Sequence, residues 1–118
     1  MSKPSQLSDA EYHHKTQAVL AAIEAQIDAW LDEGEIDIDT HRTGGLLELS
    51  FPNGSKIVIN TQPPLHELWL AARSGGFHFA YADGVWRSTR DGAELFSKLS
   101  QVAGDQAGQV LRFDPPGA

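Results

Sequence analysis

Apolar side chains recur three and four residues apart at Tyr12, Val19, Leu20, Ile23, Ile27, Trp30 and Leu31, with Thr16 in the same phase. That period matches the 3.6 residues of a helical turn and predicts an amphipathic helix over about residues 9 to 33. Ser8, with Glu11 three positions on, forms a capping box that starts the helix, and Gly34 stops it. From Glu35 the period drops to two. Ile36 and Ile38 alternate with Glu35, Asp37 and Asp39, which predicts a first strand with one apolar and one acidic face. Gly44-Gly45 mark a turn, Leu47, Leu49 and Phe51 alternate in a second strand, and Asn53-Gly54 signal a hairpin into a third that carries Ile57 and Ile59.

Further strands are predicted at Leu65–Ala71, Phe77–Tyr81 and Val85–Ser88, with turns at Ser74-Gly75-Gly76 and Asp83-Gly84. Asp91, with Glu94 three residues later, opens a second helix whose buried stripe is Leu95, Phe96, Leu99 and Val102, ending before Gly104. Val110, Leu111 and Phe113 are expected to pack as an extended tail. Such short connections join neighbours, so the strands form an antiparallel meander. The fold class is therefore α+β: a two-layer α/β sandwich, with N- and C-terminal helices on one face of an antiparallel sheet of about six strands. One domain spans residues 1–118, with loose tails at about 1–7 and 114–118. The other sheet face would be open to water. On the fourth strand Leu68 and Leu70 take the helix side, which leaves Glu67 and Trp69 on the open side.

Composition narrows the chemistry. The 118 residues include no cysteine, which excludes a disulfide framework, a thiolate zinc site, a cysteine nucleophile and a thiolate-held iron–sulfur cluster on this polypeptide. Sixteen acids against nine bases give a net charge of −7, unsuited to nucleic acid. The longest apolar run, Ala18 to Ile23, is far short of the ~20 residues that cross a bilayer, and the start lacks a basic then apolar leader, so no membrane association and a cytoplasmic location are expected. Hydrolase constellations, phosphate-cradling glycine loops and dinucleotide fingerprints are absent, so an enzyme is not expected.

The charge imbalance is local. Residues 1–40 hold nine acids and two bases, whereas residues 41–118 hold seven of each. Between Glu24 and Asp39 stand Glu24, Asp28, Asp32, Glu33, Glu35, Asp37 and Asp39, with no base among them. Glu24, Asp28 and Asp32 recur every four residues and form one stripe, where like charges destabilise a helix and oppose its dipole. A solvated face and an edge strand guarded by acids against aggregation would produce the same pattern. Repeated violation of a local rule in one place nevertheless points to function. Carboxylates without thiolates are hard oxygen ligands, and an open ridge has no cage, so cation binding there would be weak, multi-site and salt-sensitive. Asp9, Glu11 and His13 at the helix start could add a site of mixed oxygen and nitrogen ligands. His14, His41 and His66 read as surface residues, and Trp30 and Trp86 follow the buried phase. Trp69 either shields the sheet or anchors a contact.

The order of helix, acidic strand, Asn60-Thr61-Gln62-Pro63-Pro64, Trp69-Leu70-Ala71, Gly75-Gly76, Trp86 and closing helix resembles the frataxin family, in particular its bacterial members, over about residues 8 to 113. The resemblance implies the same two-layer sandwich, weak binding of iron (Fe2+ or Fe3+) along the ridge and no organic cofactor. It also implies an accessory role in iron–sulfur cluster assembly, with the cysteine desulfurase and the cluster scaffold as partners. Glu35, Asp37 and Asp39 would meet the desulfurase, with Trp69 as sheet-surface anchor and Asn60, Gln62 and His78 as its polar rim. Ala25 and Ala29 stand beside Glu24 and Asp28 where bacterial relatives commonly pair acids, which bears on how many ions can bind. An iron-dependent regulator, monomeric unless iron drives oligomerisation, is the first reading. Weak ferroxidase or iron-storage activity on the same acids, and an acidic adaptor that needs no metal, are the alternatives.

Overall fold

A computed structural model describes residues 7–34 and 36–116. Helix α1 (Asp9–Glu33) is followed by strands β1 (Asp39–Thr43), β2 (Leu46–Ser50), β3 (Lys56–Gln62), β4 (Glu67–Ala72), β5 (Gly75–Ala82) and β6 (Val85–Ser88), and then by helix α2 (Leu95–Ala107). The strands pair antiparallel in sequence order, β1 to β6, as an open meander. Both helices pack on one face of it. The core between the layers takes Val19, Leu20, Ile23 and Ile27 from α1, and Leu95, Phe96 and Leu99 from α2. The sheet contributes Leu47, Leu49, Ile57, Ile59, Leu68, Leu70 and Phe79, all essentially without solvent contact. Trp30 and Trp86 are buried there too. Among the described residues no helix is long and apolar enough to cross a membrane.

Helix α1 begins and ends where its caps dictate. The Glu11 amide donates to Ser8 Oγ at 3.1 Å and the Ser8 amide to Glu11 Oε1 at 2.9 Å, while Gly34 closes the helix in the left-handed region at φ 71°. The Ser8 amide holds the Glu11 carboxyl below its ordinary value, so this cap contributes above the usual carboxylate range and is lost as the pH falls through the lowered value. Leu31, read as part of the apolar stripe, is exposed.

Several boundaries differ from the periodicity, and β5 begins at Gly75, inside the predicted turn, because Gly75 and Gly76 pair with Ala72 and Ala71. Ile38 is buried as the alternation predicts, but residues 36–38 are not strand: the ladder's outermost pair is Asp39 with Ser50, and beyond it the partner chain turns away through Phe51-Pro52. Pro63–Leu65 is a 3₁₀ turn, so β4 starts at Glu67. Helix α2 is capped by Glu94, whose carboxylate accepts from Phe96 N at 2.7 Å and Ser97 N at 3.0 Å, while Asp91 caps the preceding turn by accepting from Ala93 N. The helix also passes through Gly104 to Ala107, since the returning chain crosses there. A side chain at Gly104 would stand 3.0 Å from the Gln109 carbonyl. Beyond α2, Leu111 and Phe113 pack inward as expected, but Val110 is 97% exposed. Leu7, assigned to a loose tail, packs partly against the core; residues 1–6 and 117–118 of the predicted tails lie outside the described residues.

Tyr12 ties α1 to the sheet. Its hydroxyl donates to the Glu67 carbonyl at 2.5 Å and accepts from the Gln62 amide at 3.0 Å, closing the β3–β4 connection, and burial pushes its phenol above the ordinary value. Tyr12→Phe leaves both backbone groups without that partner. It is expected to cost about 1–2 kcal/mol in urea unfolding, and a loss below about 0.3 kcal/mol would contradict this role.

Candidate functional site: an acidic ridge and an open sheet face

The acids of the ridge are not equivalent. Asp28 and Asp32 are exposed on the C-terminal half of α1, whose last turn contains no base to offset the helix dipole. Glu33 is exposed at its end. Asp37 lies in the connection and Asp39 opens β1, a strand paired on one side only, and both are exposed. No ion pair among the described residues involves Asp28, Asp32, Asp37 or Asp39. Glu24 differs from them: Arg42 Nη1 meets its Oε1 at 2.6 Å. The first member of the helix stripe is therefore paired with a base that lies just beyond the base-free segment from Glu24 to Asp39. Glu35 lies outside the described residues.

The structure disperses the predicted site at the start of α1. Asp9 Oδ1 is 2.7 Å from His66 Nε2, Glu11 is engaged by Ser8, and His13 is exposed. His66 is no plain surface residue, since it adopts φ 52°, stacks on Tyr12 with ring centroids 4.7 Å apart and holds Asp9. His14 and His41 are exposed as read. Among the described residues no three His, Cys, Asp or Glu side chains converge as a metal cage.

Across the open face, register aligns Leu46, Asn60, Trp69 and His78 on β2 to β5. Gln62 lies opposite Glu67 on the neighbouring row. The predicted rim of Asn60, Gln62 and His78 is thus assembled around Trp69. The indole is held rather than loose: Nε1–H donates to Glu67 Oε1 at 2.9 Å, and His78 stacks on it at 4.2 Å with planes 7° apart. Ordering of this kind lowers the entropy lost when such a ring enters an interface. Sequence reading put Glu67 on the open face but gave it no role, although its partner Trp69 stands only two residues along β4. Arg42 was missed because its partners, Glu24 and Gln17, lie on α1.

A frataxin-like domain model matches residues 5–109, nearly the whole fold just described. The chain belongs to the frataxin family. Among curated relatives, the iron-sulfur cluster assembly protein CyaY of Burkholderia mallei is 49% identical over 107 residues, covering 91% of this chain and 98% of that protein. Among solved structures, the frataxin of Psychromonas ingrahamii, described within the CyaY family, superposes with a TM-score of 0.80 at 33% identity, over 92% of this chain and 99% of that one. A trimeric frataxin from Saccharomyces cerevisiae, complexed with ferrous iron, aligns with a TM-score of 0.60 over 92% of this chain and 94% of its own; at 23% identity it supports the frataxin fold alone. The two-layer sandwich expected from the periodicity, and the frataxin fold that the resemblance implies, are the ones found.

Proposed function

We propose that this frataxin is an iron-binding accessory of iron–sulfur cluster assembly. In this reading it binds iron weakly along Asp28, Asp32, Glu33, Asp37 and Asp39, with Glu35 between them in sequence. It docks through the same ridge, with Trp69 as a second contact, on the cysteine desulfurase and its scaffold. The observation that carries the reading is the strip of exposed acids at a helix end that has no compensating base, of which Asp28, Asp32, Asp37 and Asp39 enter no ion pair among the described residues. The name borne by the relative from Burkholderia mallei supports the assembly role.

The chemistry follows from the donor set. Exposed carboxylates are hard oxygen ligands, and without a pre-formed cage they hold a cation by field more than by fixed geometry. Affinity should therefore fall with salt, and an ion so held can be passed on. A basic groove on the desulfurase would be attracted to the same strip, so iron and partner would share or compete for it. The protein would adjust cluster formation without catalysing a step.

Anaerobic titration of Fe(II) into the isotope-labelled protein, followed by NMR, tests this reading. Broadening is expected to concentrate between Asp28 and Asp39, and changes induced by the desulfurase should overlap it. Signals untouched by iron but shifted by the partner would make the protein a metal-independent adaptor. In a separate aerobic assay, saturable, iron-dependent oxygen consumption would instead favour a ferroxidase.

A further inference from the structure

Arg42 reaches the ridge from an unexpected side. It lies opposite Leu47 in the β1–β2 ladder, and Leu47 is fully buried beneath the helices, so Arg42 occupies the helix-facing side of the edge strand. There its guanidinium forks between two residues of α1, with Nη1 on Glu24 Oε1 at 2.6 Å and Nη2 on the Gln17 amide oxygen. Both members of the ion pair are largely covered, with side-chain exposures of 25% and 29%. Such a planar, doubly held guanidinium is pre-organised in a way that a lone surface lysine is not. Glu24 stands one helical turn from Asp28, so the charge that neutralises it also lies within the field of the ridge.

We propose that Arg42 is a built-in counter-cation that occupies Glu24, confines cation binding to the acids from Asp28 onward and holds the ridge's affinity for divalent iron below what its acids would otherwise give. The inference rests on the reading of the ridge as an iron site and adds its regulation: this chain sets capacity with an internal base, a positioning role exercised through Glu24. Weakness of binding is then a tuned property, suited to a surface that must release its ion or yield to a partner.

Anaerobic calorimetric titration with Fe(II) alone, on variants whose folding is checked by their amide spectra, separates the cases. Arg42→Gln removes the charge and keeps a group able to hydrogen-bond Gln17. It should bind Fe(II) about three- to tenfold more tightly than the natural chain, with a larger number of ions bound. Glu24→Gln/Arg42→Gln removes both members of the pair, leaves the net charge unchanged and should return affinity and stoichiometry to their starting values. Arg42→Lys, which keeps the charge but not the fork, should stay within about twofold of the natural chain, a rescue that a merely structural role would not predict. Fe(II) bound by the natural chain but no more tightly by Arg42→Gln overturns the inference alone, as does a double variant that remains tight. Absence of Fe(II) binding in the natural chain and in every variant overturns the iron reading and this inference with it.

Discussion

Under the proposed docking, lysine at both Asp37 and Asp39 is expected to weaken binding to the desulfurase assembly by about a hundredfold or more, with the fold intact. Both positions are exposed and neither enters an ion pair among the described residues, so the substitutions disturb little inside the protein. Surface changes of this type ordinarily move stability by about 0.5 kcal/mol or less. At the proposed interface the effect would be of another order, since each reversal would turn the proposed attraction to a basic groove into a repulsion, and like charges brought together cost several kcal/mol. The loss should appear mainly in the association rate and should shrink as salt is added. Affinity measured at two ionic strengths, beside thermal melts of the free protein, checks this. Undiminished affinity in the double variant would remove the ridge from the docking surface.

The largest effect on stability is expected at Gln106. This side chain is only 3% exposed and works in three directions from α2. Its Nε2 donates to Ser55 Oγ at 3.0 Å and to the Lys56 carbonyl at 3.2 Å, its Oε1 accepts from the Arg73 amide at 2.9 Å, and its own carbonyl accepts from Asn53 Nδ2 at 2.7 Å. It thus fastens α2 to the turns at both the β2–β3 and β4–β5 ends. Gln106→Leu preserves most of the volume but leaves the Arg73 amide and the Lys56 carbonyl without these partners. A loss of about 3 kcal/mol is expected, lowering the melting temperature by about 12 °C for a chain of this length. A change below about 0.5 kcal/mol would mean that apolar packing alone seats the helix.

Gln106 also marks where sequence reading stops. It continues the stripe of Leu99, Val102 and Ala103 at helical spacing, but Gly104 suggested an end to the helix, and the chain crossing that favours glycine there is a tertiary fact. Period and turn chemistry did reveal α1 with both caps, the presence of all six strands, the face turned to the helices and the open side on which Trp69 stands, because each is set by residues close in sequence. Strand ends were less legible. Ile36 and Ile38 alternate as a strand would, yet a ladder needs a partner, and β2 has none to offer beyond Ser50. Polar side chains were hardest to place. The Arg42–Glu24 pair joins residues eighteen positions apart, and the Asp9–His66 pair fifty-seven, separations at which no local pattern carries information.

The same distances bear on how the chain assembles. Every strand pairs with its neighbour in sequence, so each hairpin closes a short loop and the sheet can grow by local steps. Tyr12 spans 50 residues to Gln62 and 55 to Glu67, and Gln106 spans 51 to Ser55. Those closures carry the greater entropic cost and have a surface to close on only once the hairpins exist. Helix docking is thereby expected to come late, so Tyr12→Phe and Gln106→Leu should speed unfolding more than they slow folding, a split that stopped-flow rates in urea would read directly.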